Sequence, residues 1–187
     1  MSRQRGRLFY HGTSVNIHQQ PEPILDPQYA NGRDEGDPER PHVFLTLDRL
    51  MAAAFTLKSD DVLGISVCDG VLAMTFLSEP PRFAGGWLYT CTERDGSQFE
   101  ECIVRGQPTN KWVSYQKVHI HACEFIPGLH HLLRATSTDA YVLSDDVDWK
   151  EWIESYRYSA FANSLPAFYS RSVRKGTLRS LRAEWSL

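Results

Sequence analysis

The chain has 187 residues, 42% of them hydrophobic and 23% charged, with a net charge of −3. That is the composition of a folded globular chain with one main domain and a substantial core, not of a disordered one. A near-balanced charge excludes a general attraction for nucleic acid or membrane surfaces, and no apolar run approaches the roughly 18 residues of a membrane span.

The amino terminus, Met1 to Arg7, is basic, but the apolar stretch after it is Leu8-Phe9-Tyr10 alone. That is too short for a secretory signal. Leu8-Phe9-Tyr10 runs straight into His11-Gly12-Thr13-Ser14, which reads as a short buried strand ending in a polar turn. The histidine offers ring nitrogens as donor or acceptor. The glycine lets a ligand approach the main chain, because no Cβ stands in the way. Aromatic, His, Gly and hydroxyl residues in this order make a floor for a nucleotide or sugar. The same residues also fit a strand end with a capping histidine.

Residues 15 to 41 hold Pro21, Pro23, Pro27, Pro38, Pro41 and the run Asn31 to Asp37, a long loop of turn-forming residues. Loops of this length are functional or mobile, or plain surface excursions. Val43-Phe44-Leu45-Thr46 is a β-prone run, followed by a helix over 48–55 capped by Thr46 or Asp48. Leu47, Leu50, Met51, Ala54 and Phe55 fall on one face of that helix. Val62–Cys68 and Val71–Leu77 read as strands around an Asp69-Gly70 turn. Trp87–Cys91 and Phe99–Val104 follow as strands, with Asp95-Gly96 a hairpin signal. Gly106 to Asn110 reads as a loop, and Trp112–Tyr115 and Val118–Phe125 as two further strands. Residues 146–161 and 167–183 are predicted helical, with Pro166 between them. Strands grouped together and not alternating with helices predict an α+β fold with a twisted, mostly antiparallel sheet.

The four cysteines, Cys68, Cys91, Cys102 and Cys123, are scattered without a Cys-x-x-Cys pair. They read as reduced, mostly buried thiols of a cytoplasmic protein.

Two segments, Phe9-Tyr10-His11-Gly12-Thr13 and Val43-Phe44-Leu45-Thr46 with the alanine-rich stretch to Phe55, together resemble the ADP-ribosyltransferase fold. Rifampin ADP-ribosyltransferases, PARP-like enzymes and RNA 2′-phosphotransferases carry similar His-Gly-Thr starts. The resemblance covers residues 8–125 in element order and rests on about fifteen residues. It implies a split sheet, a transferase domain over 1–127 and a helical C-terminal extension over 128–187. It also implies NAD as co-substrate, with His11 on the ribose next to the adenine and the Gly12 main chain on the nicotinamide amide. Phe44 would shape the nicotinamide pocket, with Thr13, Ser14 and Thr46 as neighbouring binding residues.

Cleaving a ribose–nicotinamide bond builds positive charge on the sugar, so a transferase needs a carboxylate near the anomeric carbon. Where the family often places a glutamate, this chain has Lys111, in Asn110-Lys111-Trp112-Val113-Ser114-Tyr115. The alternatives are Glu100 and Glu101, the first sharing a strand face with Gln98, and Glu79. Solvated hairpin glutamates are the plainer reading of the pair. His119 and His121 share a strand face without a convincing third metal ligand, and no metal is expected. Cys102 has no identifiable partner as a nucleophile. Trp149, Trp152 and Tyr156 read as a core-facing helix stripe.

Residues 150–187 carry +4, leaving −7 for the rest. This basic tail is a solvated helix face or a dock for RNA or another acidic partner. Three functions follow: an NAD-dependent mono-ADP-ribosyltransferase acting on an unidentified protein, nucleic acid or small molecule; a non-catalytic module binding NAD, ADP-ribose or a protein; and an RNA 2′-phosphotransferase-like enzyme, which would need a second histidine and arginines around the phosphate.

Overall fold

A computed structural model of the chain describes residues 7–19, 22–28, 40–57, 61–93, 98–104, 107–162 and 164–185. In chain order the elements begin with β1 (Leu8–Thr13), β2 (Ile24–Leu25), β3 (Val43–Thr46), α1 (Arg49–Ala54), β4 (Val62–Cys68) and β5 (Val71–Phe76). There follow β6 (Gly86–Thr92), β7 (Glu100–Val104), β8 (Gln107–Ser114), β9 (Val118–Ile126) and α2 (Leu129–Ala135). The chain continues through β10 (Thr138–Leu143), α3 (Trp149–Phe161), α4 (Leu165–Arg174), β11 (Leu178–Ser180) and α5 (Leu181–Trp185). The fold is α+β with mostly antiparallel strands, as the grouping of strands predicts.

Two compact units emerge. The first comprises residues 1–56 and 86–126, the second 57–85 and 127–187. The expected division into 1–127 and 128–187 therefore differs in one respect: the β4–β5 hairpin belongs with the C-terminal residues. Those residues are also not purely helical, since β10 pairs in parallel with β5 and antiparallel with β11. A parallel partner for β5 has to come from distant sequence, and local pattern gives no sign of it.

The first unit is built on a seven-stranded sheet ordered β2-β9-β6-β1-β3-β8-β7, antiparallel throughout. Its core gathers Phe9, Leu25, Val43, Leu45, Tyr89, Cys91, Phe99 and Val118. Phe9 is the hub, fully buried, with its ring edge-on to Phe99 at 4.6 Å and to Trp112 at 5.3 Å, the geometry that aromatic quadrupoles favour. Of the span expected as a loop over 106–110, residues 107–110 are the start of β8, and Gly106 lies outside the described residues. Asn110 there has a φ of 58°, a left-handed kink that asparagine tolerates and that gives the segment its turn-like composition.

Helix α1 begins as expected. The Asp48 carboxylate accepts the N–H groups of Leu50 and Met51 at 2.8 and 3.0 Å, a side-chain N-cap. Its buried face is not the expected one. Ala52, Ala53 and Ala54 are buried, whereas Phe55 is 50% exposed. The reason is a close backbone approach: a Cβ on Gly12 would sit 1.8 Å from the Ala52 carbonyl oxygen. Only a glycine at position 12 lets the Ala52 carbonyl lie this near β1, and the short side chains of Ala52, Ala53 and Ala54, spread around the helix, are all buried.

The second unit holds a four-stranded sheet ordered β11-β10-β5-β4. Its core joins Ala73, Leu143, Trp152, Leu165, Tyr169 and Leu178. Trp152 is buried as predicted, but Trp149 is 40% exposed. Pro166 lies in the first turn of α4, where its missing N–H costs nothing. The predicted helix over 167–183 stops at Arg174, because Gly176 takes a φ of 72° and its N–H bonds the Val173 carbonyl at 3.1 Å. The four cysteines form no disulfide among the described residues; Cys91 is buried, Cys68 and Cys102 are half-buried and Cys123 is exposed. Among the described residues no helix is long and apolar enough to cross a membrane.

The tight α1–β1 approach makes a direct prediction. Gly12→Ala forces the helix off the strand and should cost about 1–3 kcal/mol, the usual range for overpacking, measured by urea unfolding. A loss near zero would contradict the close approach.

Candidate functional site

The seven-stranded sheet is loosely joined at one seam. β1 pairs with β6 over its whole length and β3 pairs with β8 from Val43 to Thr46, but β1 and β3 share a single register pair, Tyr10 with Thr46. At this seam lies a cavity of about 220 Å³, with His11, Gly12, Phe44, Met51, Phe55 and Lys111 on its walls. It is smaller than the roughly 300–1,000 Å³ typical of drug-sized ligand pockets, so it takes one ring or one sugar at a time.

A side chain bridges the seam where the ladder lapses. His11 Nδ1 lies 2.7 Å from the Phe44 carbonyl oxygen. A carbonyl can only accept, so Nδ1 carries the proton and donates. Burial lowers the His11 pKa below its ordinary 6.5, and the bond to Phe44 opposes this with a smaller upward pull. At neutral pH the ring is therefore uncharged, and Nε2 keeps its lone pair as an acceptor. An imidazole held in one tautomer, beside a phenyl ring and main chain, suits a ligand hydroxyl next to a flat ring.

Thr46 also lines the cavity, but its hydroxyl is committed to structure. It donates to the Asn110 carbonyl at 3.1 Å and accepts the Asp48 N–H at 3.0 Å, joining β3 to β8 and to the start of α1. Lys111 stands directly across from Thr46 in the β3–β8 register. Thr13 and Ser14 are not among the lining residues; the Thr13 hydroxyl accepts the Val15 N–H at 3.2 Å. Gly12 does line the cavity, yet the atoms that would meet a Cβ there belong to α1. Its glycine is demanded by the helix, whatever a ligand requires.

Glu100 and Glu101 lie on β7, at the edge of the sheet, paired with Val113 and Trp112 of β8. One strand separates them from β3, and neither lines the cavity. Glu79 belongs to the second unit, where it pairs with Arg179 at 3.1 Å. His42, the other histidine near this motif, is buried with its Nδ1 2.8 Å from the Arg40 carbonyl oxygen and its ring edge-on to Phe44. Among the described residues no group of three His, Cys, Asp or Glu side chains is placed to hold a metal, and His119 and His121 belong to none.

Sequence reasoning missed Tyr10, Leu45, Met51, Ala52 and Phe55 as lining residues. Met51 on α1 and Phe55 at its C-cap, four apart, carry a readable signal in that helical spacing places them on one face. The loop span 29–39 and the Asp95-Gly96 turn lie outside the described residues. The base of that loop is closed by paired main-chain bonds between Gln28 and His42 at 3.1 and 2.9 Å. Several tail cations are engaged within the chain: Arg157 with Glu154, Arg179 with Glu79 and Glu184, and Arg182 with Asp139.

No protein-family model, curated protein or solved structure matches the chain.

The depressed His11 pKa has a definite sign for stability. As pH falls, the unfolded chain takes up this proton first, so the contribution is fully present above 6.5 and is lost as pH drops through the folded-state value. An NMR titration of the His11 ring should give a midpoint below 6.5. A midpoint at or above that value would show an exposed or ion-paired imidazole.

Proposed function

We propose that the first unit is an ADP-ribosyltransferase-like domain that works as a binding module, holding one ring or sugar of NAD or ADP-ribose in the cavity at the β1–β3 seam, with the rest of the nucleotide outside it, and not cleaving it. The observation that carries this reading is Lys111 on the same cavity wall as His11 and Phe44. His11, Gly12 and Phe44 share one cavity, which the resemblance requires of a nucleotide site. A neutral His11 with a free Nε2 lone pair is suited to a ribose hydroxyl, and Phe44 and Phe55 offer apolar walls to a flat ring. Lys111 attracts a diphosphate and repels a developing oxocarbenium charge.

The shared cavity of His11, Gly12 and Phe44 also fits a second reading, an active NAD-dependent mono-ADP-ribosyltransferase, for which Glu100 or Glu101 on edge strand β7 would have to act from outside the cavity lining. The 2′-phosphotransferase reading is weaker, because the buried His42 ring is turned to Phe44 and Tyr115.

Calorimetry with NAD and ADP-ribose, run beside a nicotinamide-release assay, separates these readings. The module predicts binding without release, weakened at least about tenfold by His11→Ala, in line with losing one or two hydrogen bonds. Lys111→Glu should weaken binding of the diphosphate further. Nicotinamide release that Glu100→Gln or Glu101→Gln abolishes would select the transferase. Absence of binding to either nucleotide would reject both.

A further inference from the structure

An open groove of about 900 Å³ runs between α3 and α4 of the second unit. Each helix gives it one stripe. Asp148, Glu151, Trp152, Ser155 and Tyr158 line it from the α3 side, and Ser164, Ala167, Phe168, Arg171 and Lys175 from the α4 side. Steps of three and four residues keep each set on a single helix face. The groove is tied at both ends. Where α3 passes into α4, the Ser164 N–H donates to the Ser159 carbonyl at 2.8 Å, and at the far end the Ser144 N–H donates to the Thr177 carbonyl at 3.0 Å. The helices therefore run antiparallel. Counted residue by residue from the Ser159–Ser164 closure, Asp148 stands level with Lys175, Glu151 with Arg171 and Ser172, and Tyr158 with the span between Ser164 and Ala167.

Charge is divided between the two walls. The α3 wall holds Asp146, Asp148, Glu151 and Glu154, and the α4 wall holds Arg171 and Lys175. Asp148 serves its own helix by accepting the Lys150 N–H at 2.8 Å, and Glu154 pairs with Arg157 at 2.9 Å. Among the described residues, Asp146, Glu151, Arg171 and Lys175 take part in no ion pair. Acids and bases thus face each other over the groove without meeting across it. The floor between them is aromatic, with the buried Trp152 ring 5.6 Å from that of Phe168. Tyr158 stands on the rim, 76% exposed, opposite residues too small to cover it.

A face with one acid wall and one basic wall is complementary to a copy of itself. A second copy, turned over about an axis along the groove, lays its α3 antiparallel on α4 of the first. Its α4 lies on α3 of the first in the same way. Glu151 of each copy then meets Arg171 of the other, and Tyr158 of each covers Ala167 and Ser164 of the other. Every contact occurs twice, as a two-fold interface requires. A turn about the axis across the groove would stack α3 on α3 and bring no opposite charges together. Nucleic acid or an acidic peptide would meet the carboxylate wall, and a basic peptide would meet Arg171 and Lys175.

We propose that the α3–α4 face is a self-association surface on which two copies of this chain form an antiparallel four-helix bundle. The opposed walls set its register, and Tyr158 is its anchor, an exposed aromatic residue of the kind that dominates interface energetics. The surface belongs to the second unit and does not depend on the nucleotide reading of the first.

Sedimentation equilibrium of the full chain at concentrations up to about 100 μM tests it. The wild-type chain should be a dimer. Glu151→Arg and Arg171→Glu, both at exposed positions, should each be monomeric alone, because like charges then face each other twice. Mixed in equal amounts, these two variants should form a dimer, since each reversed charge again meets its opposite. Tyr158→Ala should weaken the wild-type dimer at least about tenfold. Circular dichroism identifies misfolding of a charge-reversal variant, in which case Tyr158→Ala decides. A monomeric wild-type chain, which would leave the groove to a partner of another sequence, would overturn the proposal. So would folded single-reversal variants that stay dimeric, their failure to associate when mixed, or a Tyr158→Ala dimer as tight as the wild type.

Discussion

One hydrogen bond, from His11 Nδ1 to the Phe44 carbonyl at 2.7 Å, sets the character of the first unit. Along the rest of β1 and β3 the main-chain groups pair with β6 and β8. Between each other they meet in register at Tyr10 and Thr46 alone. A sheet that stops pairing in its middle must satisfy its orphaned polar groups another way. The His11 ring does so for Phe44, and in doing so it props the two strands apart. The same bond fixes the tautomer, burial keeps the ring neutral against the bond's smaller upward pull, and Nε2 is left as an acceptor.

The rest of the wall follows from close approach. α1 can press on β1 because Gly12 puts no side chain in the way of the Ala52 carbonyl. That leaves Met51 and Phe55 to line the cavity. The second unit uses the same device. Gly64 lets the Tyr156 ring lie on β4, where a Cβ would come within 2.9 Å of Cζ, and the Tyr156 hydroxyl then donates to the Ile65 carbonyl at 3.0 Å. In both units a missing side chain on a strand decides where a helix or its aromatic residues settle, and hollows appear beside those points.

Much of this was legible in the residues. The strands at Val43–Thr46 and Val62–Cys68 carry β-branched residues at their pairing positions, and the Asp48 cap stands one residue before its helix. That His11, Gly12 and Phe44 belong together could be read from the motif pair. Other features were out of reach for definite reasons. Spacing along a strand says which face Glu100 shares with Gln98 but not where that strand sits in the sheet, and β7 lies at the edge. The parallel pairing of β10 with β5 joins residues more than sixty positions apart. Gly12 looked like a ligand-approach glycine, while its immediate neighbour is a helix. Gly176 is a helix-stop signal, but it sits in a basic run whose composition favours continuing the helix.

The most direct measurement is the tautomer of His11, read by nitrogen NMR of the imidazole in the folded chain near neutral pH. The bond to Phe44 requires a neutral ring with the proton on Nδ1 and a bare Nε2, whose signal should move on addition of ADP-ribose. A ring protonated on Nε2, or on both nitrogens, would mean that the bond across the seam is not made and that the cavity lacks its acceptor.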